Sequence, residues 1–361
     1  MSTLCTDRER QILQYIVQYF IDTGSPVGSR SISKSLPLDL SAATIRNIMA
    51  DLEDKGLLQH PHTSAGRIPT DKGYRWYVDD LVGEDSLSTG ERVFLKQHLS
   101  EVRQKITRIS DGIDEILFHS SKALARISNE LGIILSPQFN SCVFDKLSLN
   151  NLSSERVLVE LNLRSGVIKS LVLEISASLD SDELRAIQRA LNERLGGLTV
   201  SEIRKTLSDR VGDLRYRLED REEKFLKVFL SEGHRLFDFE DNTKLTFAGT
   251  NNILTKPEFQ LSTDAYSIIE MLEEKQKLVQ LLSARSTPGV SVTIGEENDS
   301  ADLNGLTIIT APYSVAGVGG TVGILGPKRM PYAKIIPLVR HTARLLNETL
   351  NETLYETQNE N

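Results

Sequence analysis

The N-terminal part of the chain carries apolar residues at helical spacing in short segments, each bounded by residues that begin or end a helix. Thr6 and Glu9 form a T-x-x-E capping box, and Gly24 is suited to end the helix that the box opens. Ser29 can cap a second, shorter helix, which Pro37 ends because proline cannot continue it. The apolar positions i, i+3, i+4 and i+7 of the first and third segments are Leu13, Ile16, Val17 and Phe20, then Ile45, Ile48, Met49 and Leu52. Short helices of this kind must pack on one another, which predicts a small helical unit.

The third segment leads into a hairpin. Ser41 is a good N-cap and Gly56 a good stop, so a third helix lies between them. Behind the longer first helix, two short helices joined by a turn form a helix-turn-helix pattern. Leu57–Leu58 can start a strand, Ile68 can lie in a returning strand, and Thr70 can cap a fourth helix. The order helix, helix, helix, hairpin, helix predicts a winged helix.

The third helix of such a fold enters the major groove, with its N-terminal half nearest the bases. Arg46 can bind guanine or a phosphate and Asn47 can pair with adenine. Arg30 and Lys34 of the second helix can reach the DNA backbone, and Arg67 is expected near the hairpin tip. The other outward positions of the third helix are small: Ala42, Ala43 and Ala50. A solvated surface, or a winged helix that binds protein, is the alternative interpretation.

The distribution of charge bears on this prediction more than the total does. The formal net charge of −8 argues against nucleic acid if it is taken alone. Residues 24–78, however, contain seven basic and five acidic residues, a net charge of +2. The acidity lies elsewhere in the chain, so DNA binding is not excluded and depends on where the basic side chains point.

Several motifs that could carry chemistry have a simpler explanation. His60 and His62 would share one face of a strand, but a zinc site needs three or four ligands. Ser64 lacks the G-x-S-x-G setting of a hydrolase nucleophile. The glycines of GVGGTVGILGPK, residues 317–328, favour a tight hairpin and close strand packing over a P-loop. The adjacent acids Glu296–Glu297 are typical of a solvated turn rather than a catalytic pair.

Five longer stretches carry a resemblance to a known family: PVGSRSI, SAATIRNIMADLEDKGLL, HTSAGRIPTDKGYRWYVDDL, GLTIITAPYS and GTVGILGPKRMPYAKIIPLVRHTARLLNETL. They resemble the heat-inducible transcription repressor family HrcA, and the similarity runs from about Thr6 to Leu350. The resemblance implies a dimeric repressor of chaperonin and Hsp70-system operons that binds an inverted-repeat operator. It also implies that heating abolishes operator binding and that the chaperonin restores it.

A possible helical seam follows the polar linker 83–92. Its members step by four and three residues: Leu95, Leu99, Val102, Ile106, Ile109, Ile113 and Ile116. This heptad spacing is compatible with a dimer helix. It is equally compatible with a long helix that packs on its own sheet, since Gly112 would weaken a continuous coil.

The remainder predicts a split α+β domain interrupted by an insertion. Strands are expected within residues 141–176 and again near the C-terminus, before a helix from about Pro331 to Tyr355. The resemblance implies a GAF-like domain and an inserted dimerising domain. Few large apolar runs occur in that insertion, which suits a module completed by a second copy. The predicted boundaries are 1–82 for the winged helix, 83–92 for the linker, 93–180 for the first part of the GAF-like domain with its long helical entry, 181–255 for the insertion and 256–361 for the second part with the C-terminal helix.

The sequence therefore predicts a cytoplasmic, homodimeric repressor with no enzymatic activity, cofactor or metal. Cys5 and Cys142 are far apart, and no run of eighteen apolar residues exists, so neither a disulfide framework nor a membrane span is expected. The expected DNA contacts are Thr44, Arg46 and Asn47 at the major groove, Ser29, Arg30 and Ser41 at phosphates, and His62, Thr63, Ser64 and Arg67 at the hairpin tip. Two other classes remain open: a regulator gated by a small molecule in the GAF-like sheet, and an enzyme or metalloprotein with ligands beyond the histidines.

Overall fold

The structure, a computed structural model, describes residues 5–36, 40–61, 66–80, 87–104, 109–175, 178–216, 220–238, 245–259, 269–270, 272–283, 288–298 and 300–359. Within these ranges the protein combines α-helices with antiparallel sheets, which agrees with the predicted α+β class. No helix in these ranges has the length and apolar character needed to cross a membrane.

Residues 5–80, the N-terminal unit, have the predicted order of helices and hairpin. The described elements are α1 (Asp7–Thr23), α2 (Ser29–Ser35), α3 (Ala42–Asp54), β1 (Leu58–Gln59), β2 (Ile68–Pro69) and α4 (Asp71–Asp80). The capping box is present at the start of α1, where the Thr6 amide donates to the Glu9 carboxylate at 2.7 Å. Gly24 ends α1 with a left-handed φ of 66°. Lys55 Nζ lies 2.8 Å from the Glu9 carboxylate, which ties the end of α3 to the start of α1.

The second helix begins differently from the prediction. Ser29 is its first residue rather than its cap, and Gly28 occupies the N-cap position without a side-chain hydrogen bond. The third helix does begin at the predicted cap, because Ser41 Oγ accepts the amide hydrogen of Thr44 at 3.1 Å. Thr70 likewise caps α4 by accepting the amide hydrogen of Gly73 at 3.1 Å.

The long helix predicted after the linker consists of two helices in the described residues, α5 (Thr89–Gln104) and α6 (Ile109–Ser128). They pack on each other, and the rings of His98 and His119 lie 5.5 Å apart. The seam residues whose side chains are described are buried or half-buried within the chain: Leu95, Leu99, Ile113 and Ile116. The side chains of the other seam residues, Val102, Ile106 and Ile109, lie outside the described part. Where it is described, the seam therefore packs on the protein's own core.

Five described strands form a fully antiparallel sheet in the order β7-β3-β10-β9-β8: β3 (Leu131–Leu135), β7 (Leu245–Ala248), β8 (Ser291–Ile294), β9 (Leu306–Val315) and β10 (Val318–Pro327). The long β9–β10 hairpin is the predicted glycine-rich one. A Cβ on Gly323 would lie 2.5 Å from the carbonyl oxygen of Ile309, so close strand packing explains this glycine. Together with α5, α6 and the helices that cover it, this sheet is called the sheet domain below.

Between β3 and β7 lies an insert, residues 144–237, that has its own sheet. Its described elements are β4 (Phe144–Ser153), β5 (Arg156–Leu163), β6 (Ile168–Glu174), α7 (Ser181–Leu195), α8 (Val200–Val211), α9 (Asp220–Glu232) and α10 (His234–Phe237). The strands form the antiparallel order β4-β5-β6 and pack on the helices. Phe144, Phe225 and Phe229 are fully buried in the core of the insert.

These pairings correct the predicted boundaries of the insertion, 181–255. Strands β4–β6, assigned to the GAF-like part, pair with one another and share a core with α7–α10. Strand β7, assigned to the insertion, pairs with β3 of the sheet domain. The alternation of side chains identifies a strand but not its partner, which explains the error. The insert has a core of its own, although its sequence contains few large apolar runs.

Apolar side chains cover both faces of the five-stranded sheet. One face packs on α6 and on the C-terminal helix α13 (Tyr332–Asn359), and Ile309 lies in the buried cluster there. The other face packs on α12 (Lys275–Ser283), which follows α11 (Thr250–Leu254), and Ile308 lies in that second cluster. Neighbouring residues of a strand point to opposite faces, so the apolar run in β9 fits a strand covered on both sides.

The N-terminal unit packs directly on the sheet domain through α4. Tyr74 and Tyr77 lie against Tyr332 at the start of α13, with ring centroids 5.9 and 6.5 Å apart. All three rings are buried, and they belong to one continuous apolar cluster that runs from Ile12 of α1 to Leu350 of α13. This cluster, called the shared core below, joins the N-terminal unit to one face of the sheet.

Two ion pairs complete this contact. Lys328 Nζ lies 2.7 Å from Asp71 Oδ1, and Arg75 Nε donates to Glu297 Oε1 at 2.8 Å, while Arg75 Nη2 bonds the other carboxylate oxygen. Burial opposes ionisation of Glu297, but hydrogen bonds led by that of Arg75 outweigh it, so the pKa of Glu297 lies below its ordinary value. Glu296 and Glu297 are both exposed in the turn Gly295–Asn298, and Glu297 is in addition paired with Arg75.

Candidate nucleic-acid interface

The two sides of α3 differ sharply in exposure. Ile45, Met49 and Leu52 are buried on one side. The residues of the opposite side are all exposed: Ala43, Thr44, Arg46, Asn47 and Ala50. The side chains of Arg46 and Asn47 make no hydrogen bond or ion pair with any residue that the structure describes. The helix therefore presents one cation and one amide between small side chains, whereas Ala42, which was also predicted to face outward, is half-buried.

The start of α3 is held by its own hydroxyl groups. Ser41 Oγ accepts the Thr44 amide hydrogen and lies 3.0 Å from Thr44 Oγ1. This cap leaves the first amides of the helix, beginning with that of Ala42, without a partner in the helix ladder, as at any helix N-terminus. These amides and the helix dipole favour an anion at this end. The acids of α3 lie in its last turns, away from this end.

Helix α2 contributes two further cations. Arg30 and Lys34 are both exposed, and neither forms an ion pair among the described residues. Ser29, the first residue of α2, is half-buried. Ile32 is fully buried and packs α2 onto the core of the N-terminal unit, which fixes the position of these polar residues relative to α3.

Arg67 is placed differently from the cations of α2 and α3. It lies at a β-bridge with Val27, and the two residues exchange backbone hydrogen bonds of 3.0 and 3.2 Å. Its Nη2 lies 2.8 Å from Glu53 Oε2, and its Nη1 lies 2.7 Å from His60 Nδ1. The side chain is 17% exposed. Arg67 therefore faces α3 rather than extending from the hairpin tip, which departs from its predicted position.

The remaining hairpin predictions fall partly outside the described residues. His62, Thr63 and Ser64 belong to the segment 62–65, which the structure does not describe. His60 follows β1 rather than lying in it, and its ring contacts Arg67 and lies 3.8 Å from Glu53. The partner role of Glu53 was missed by sequence reasoning, because nothing in the spacing between α3 and the hairpin indicates how the two elements meet.

Comparison with solved structures concerns the overall fold. A crystal structure of a hypothetical protein at 2.2 Å resolution is similar over 96% of this chain and 99% of that chain, with a TM-score of 0.59. Its sequence identity of 22% means that the similarity concerns the fold alone.

The sequence comparisons are more specific. Residues 114–336 match the family described as HrcA protein C terminal domain. The chain is 38% identical over 348 residues to the heat-inducible transcription repressor HrcA of Chlorobium chlorochromatii (strain CaD3), covering 96% of this chain and 97% of that protein. It is 35% identical over 356 residues to the protein of the same name from Prosthecochloris aestuarii (strain DSM 271 / SK 413), covering 96% and 98%. The chain therefore belongs to the HrcA family and is a heat-inducible transcription repressor rather than an enzyme.

Proposed function

We propose that the N-terminal unit is a winged helix that binds operator DNA with α3 in the major groove. The observation that carries this proposal is the exposed side of α3, where Arg46 and Asn47 have no partner among the described residues. Both side chains can form paired hydrogen bonds with base edges. Thr44 lies beside them, and the neighbouring alanines allow the helix backbone to approach the bases closely.

Phosphate contacts would come from the elements around α3. Arg30 is exposed on α2, and Ser29 lies at the start of that helix. Because the hydroxyl of Ser41 is already bonded to Thr44, we expect the amides at the start of α3 to bind a phosphate there. His62, Thr63 and Ser64 remain candidates for contacts from the hairpin tip, which would lie along a neighbouring groove.

We further propose that the repressor acts as a homodimer on an inverted repeat, in the cytoplasm. A single recognition helix reads only a few base pairs, so a two-fold dimer and a palindromic operator are the natural match. In this proposal the sheet domain is GAF-like, the insert contributes to dimerisation, and heating releases the operators of chaperone genes. The chaperonin would return the heated repressor to its active form.

An exposed arginine offers the direct test of this proposal. The probe is a duplex carrying the inverted repeat upstream of the chaperonin operon, compared with a scrambled duplex. We expect Arg46→Ala to weaken binding to the inverted repeat by about 1–3 kcal/mol, because one base contact is lost. Lys277→Ala is the control, since this cation on α12 of the sheet domain is 64% exposed and has no part in the proposed DNA contacts. Gel-shift titration measures both.

The same assay also tests the thermal part of the proposal. Mildly heated protein should lose its affinity for the inverted repeat, and added chaperonin with ATP should restore it. A wild-type protein that binds both duplexes alike would contradict the DNA-binding proposal. Full recovery on cooling without chaperonin would contradict the reactivation step and leave DNA binding intact.

The packing of the sheet domain does not support a regulator gated by a metabolite. Such a regulator needs a concave pocket with a few convergent polar groups. Both faces of the five-stranded sheet are instead packed with apolar side chains of α6, α12 and α13.

A further inference from the structure

The β1–β2 hairpin meets α3 through one arginine. Arg67 places its two terminal nitrogens on different partners: Nη2 lies 2.8 Å from Glu53 Oε2, and Nη1 lies 2.7 Å from His60 Nδ1. Glu53 belongs to the last turn of α3, whereas His60 directly follows β1. A single guanidinium therefore links the helix to both arms of the hairpin.

The backbone around Arg67 is equally constrained. Its amide and carbonyl groups bond to Val27 in the loop before α2, at 3.0 and 3.2 Å. Gly66 has a φ of +104°, and a Cβ at this position would lie 2.9 Å from the Val27 carbonyl oxygen. Arg67 is thus fixed between the α1–α2 loop and α3, and it leaves little surface for an additional ligand, since its side chain is 17% exposed.

The contrast with the exposed cations of α2 and α3 indicates a different role for Arg67. Arg30, Lys34 and Arg46 are exposed and form no ion pair among the described residues, as expected for groups that bind phosphates or bases. Arg67 is withdrawn and already charge-paired. Breaking a charge-assisted pair to bind a phosphate would exchange one strong interaction for another with small net gain.

We propose that Arg67 and Glu53 form a clamp that positions the hairpin relative to α3 for operator binding, and that Arg67 itself does not bind a phosphate. This inference rests on the proposed DNA-binding function. The clamp fixes the angle between the two elements before DNA arrives, so that the free protein is already in the shape that fits two neighbouring grooves. Preorganisation of this kind raises affinity by reducing the entropy lost on binding.

The decisive variant removes a negative charge. Glu53→Gln breaks the charged pair of the clamp, and we expect it to weaken binding to the inverted-repeat duplex about tenfold. A direct phosphate contact by Arg67 leads to the opposite result, because Glu53→Gln would free Arg67 and remove repulsion from the DNA. Asp54→Asn is the matched control, since Asp54 is an exposed acid in the same turn. It should bind as tightly as wild type or more tightly.

Two further measurements separate positioning from general damage. Arg67→Ala and the double variant Arg67→Ala/Glu53→Gln should bind equally, because either change already opens the clamp. The dependence of affinity on salt should keep its wild-type slope in Arg67→Ala, whereas the loss of a phosphate contact by Arg67 would reduce the slope by about 0.9. Helical content and melting temperature of the full-length variants establish that they are folded. Should Glu53→Gln fail to fold, Arg67→Lys replaces it, and an affinity equal to wild type in that variant contradicts the clamp.

The outcomes also distinguish this inference from the function on which it rests. Wild-type protein that shows no preference for the inverted repeat removes the proposed function itself. If Arg46→Ala binds the inverted repeat more weakly than wild type, the proposed function stands. If Glu53→Gln then binds it as tightly as wild type or more tightly, the clamp is overturned.

Discussion

The N-terminal unit and the insert are both largely helical, yet they are joined to the sheet domain in different ways. The N-terminal unit contributes to the shared core, which continues from Ile12 of α1 to Leu350 of α13. The insert has a separate core, to which the sheet domain adds Val318 at the β9–β10 turn. A continuous core couples the stability of its parts, whereas separate cores can open independently. Unfolding of the sheet domain should therefore reach the DNA-binding face more readily than unfolding of the insert does.

The largest expected loss of folding stability comes from two aromatic truncations, one in the shared core and one in the core of the insert. Tyr332→Ala removes the ring on which Tyr74 and Tyr77 pack, and Phe229→Ala removes a fully buried ring from the insert. Each should lower the free energy of unfolding by about 3–5 kcal/mol, because a buried cavity is created. We expect Tyr332→Ala to unfold the N-terminal unit and the sheet domain together. Phe229→Ala should give a separate early transition of the insert in calorimetry.

Hydrogen exchange at the amides of α3 shows whether each substitution lowers the local stability of this helix. Exchange there should rise in Tyr332→Ala and stay near the wild-type rate in Phe229→Ala. Equal acceleration of α3 in both variants would show that the two cores are coupled, and the comparison would then fail.

This division also explains which features could be predicted from the sequence. Helix starts and ends depend on residues within one turn, so the caps at Thr6 and Ser41 and the stop at Gly24 were found from spacing alone. Strand partners depend on residues far apart in the chain. Gly132 of β3 pairs with Ala248 of β7 across the whole insert, and no local pattern indicates that pairing. The insert was consequently given the wrong boundaries.

The same difference between local spacing and long-range packing applies to the candidate DNA-binding site. The exposure of Arg46 and Asn47 is set by the periodicity of a single helix, so both were placed correctly. The surroundings of Arg67 depend on how the hairpin meets α3 and the α1–α2 loop, which is a matter of tertiary packing. Its ion pair with Glu53 could not be deduced from either segment alone.

A smaller change in the free energy of unfolding is expected from the titration of a buried carboxyl group in the sheet domain. The side chain of Glu130 is 1% exposed, and its Oε1 lies 2.7 Å from Lys256 Nζ. Burial raises the pKa of Glu130 to about 7, although the hydrogen bond from Lys256 opposes the rise. Between pH 4.5, the ordinary pKa, and about 7, the folded protein holds a proton that the unfolded chain has lost. The free energy of unfolding should therefore fall as pH rises through this range, by on the order of 3 kcal/mol.

Glu130→Gln tests this pH dependence because glutamine does not titrate. Urea unfolding between pH 4.5 and 7.5 should give a flatter profile for the variant than for wild type. Exchange at the α9 amides serves as the internal control, since the insert has a separate core and should be affected less. Identical slopes in the two proteins would show that Glu130 does not titrate in this range.

The smallest expected effect comes from a methyl group added where α4 meets the sheet domain. Gly295 has a φ of +56°, and a Cβ there would lie 1.9 Å from Asp71 Oδ2. Because Asp71 is bonded to Lys328, Gly295→Ala must displace this ion pair as well as strain the backbone. Gly197 of the insert has a φ of +79° and no atom within 4 Å of such a Cβ, so Gly197→Ala carries backbone strain alone. We expect losses of about 2 kcal/mol for Gly295→Ala and about 1 kcal/mol for Gly197→Ala in thermal unfolding.

Operator affinity should fall only in Gly295→Ala, because the N-terminal unit is shifted relative to the sheet domain while both cores stay intact. Equal losses of stability and affinity in the two variants would mean that this contact does not hold the DNA-binding face in place.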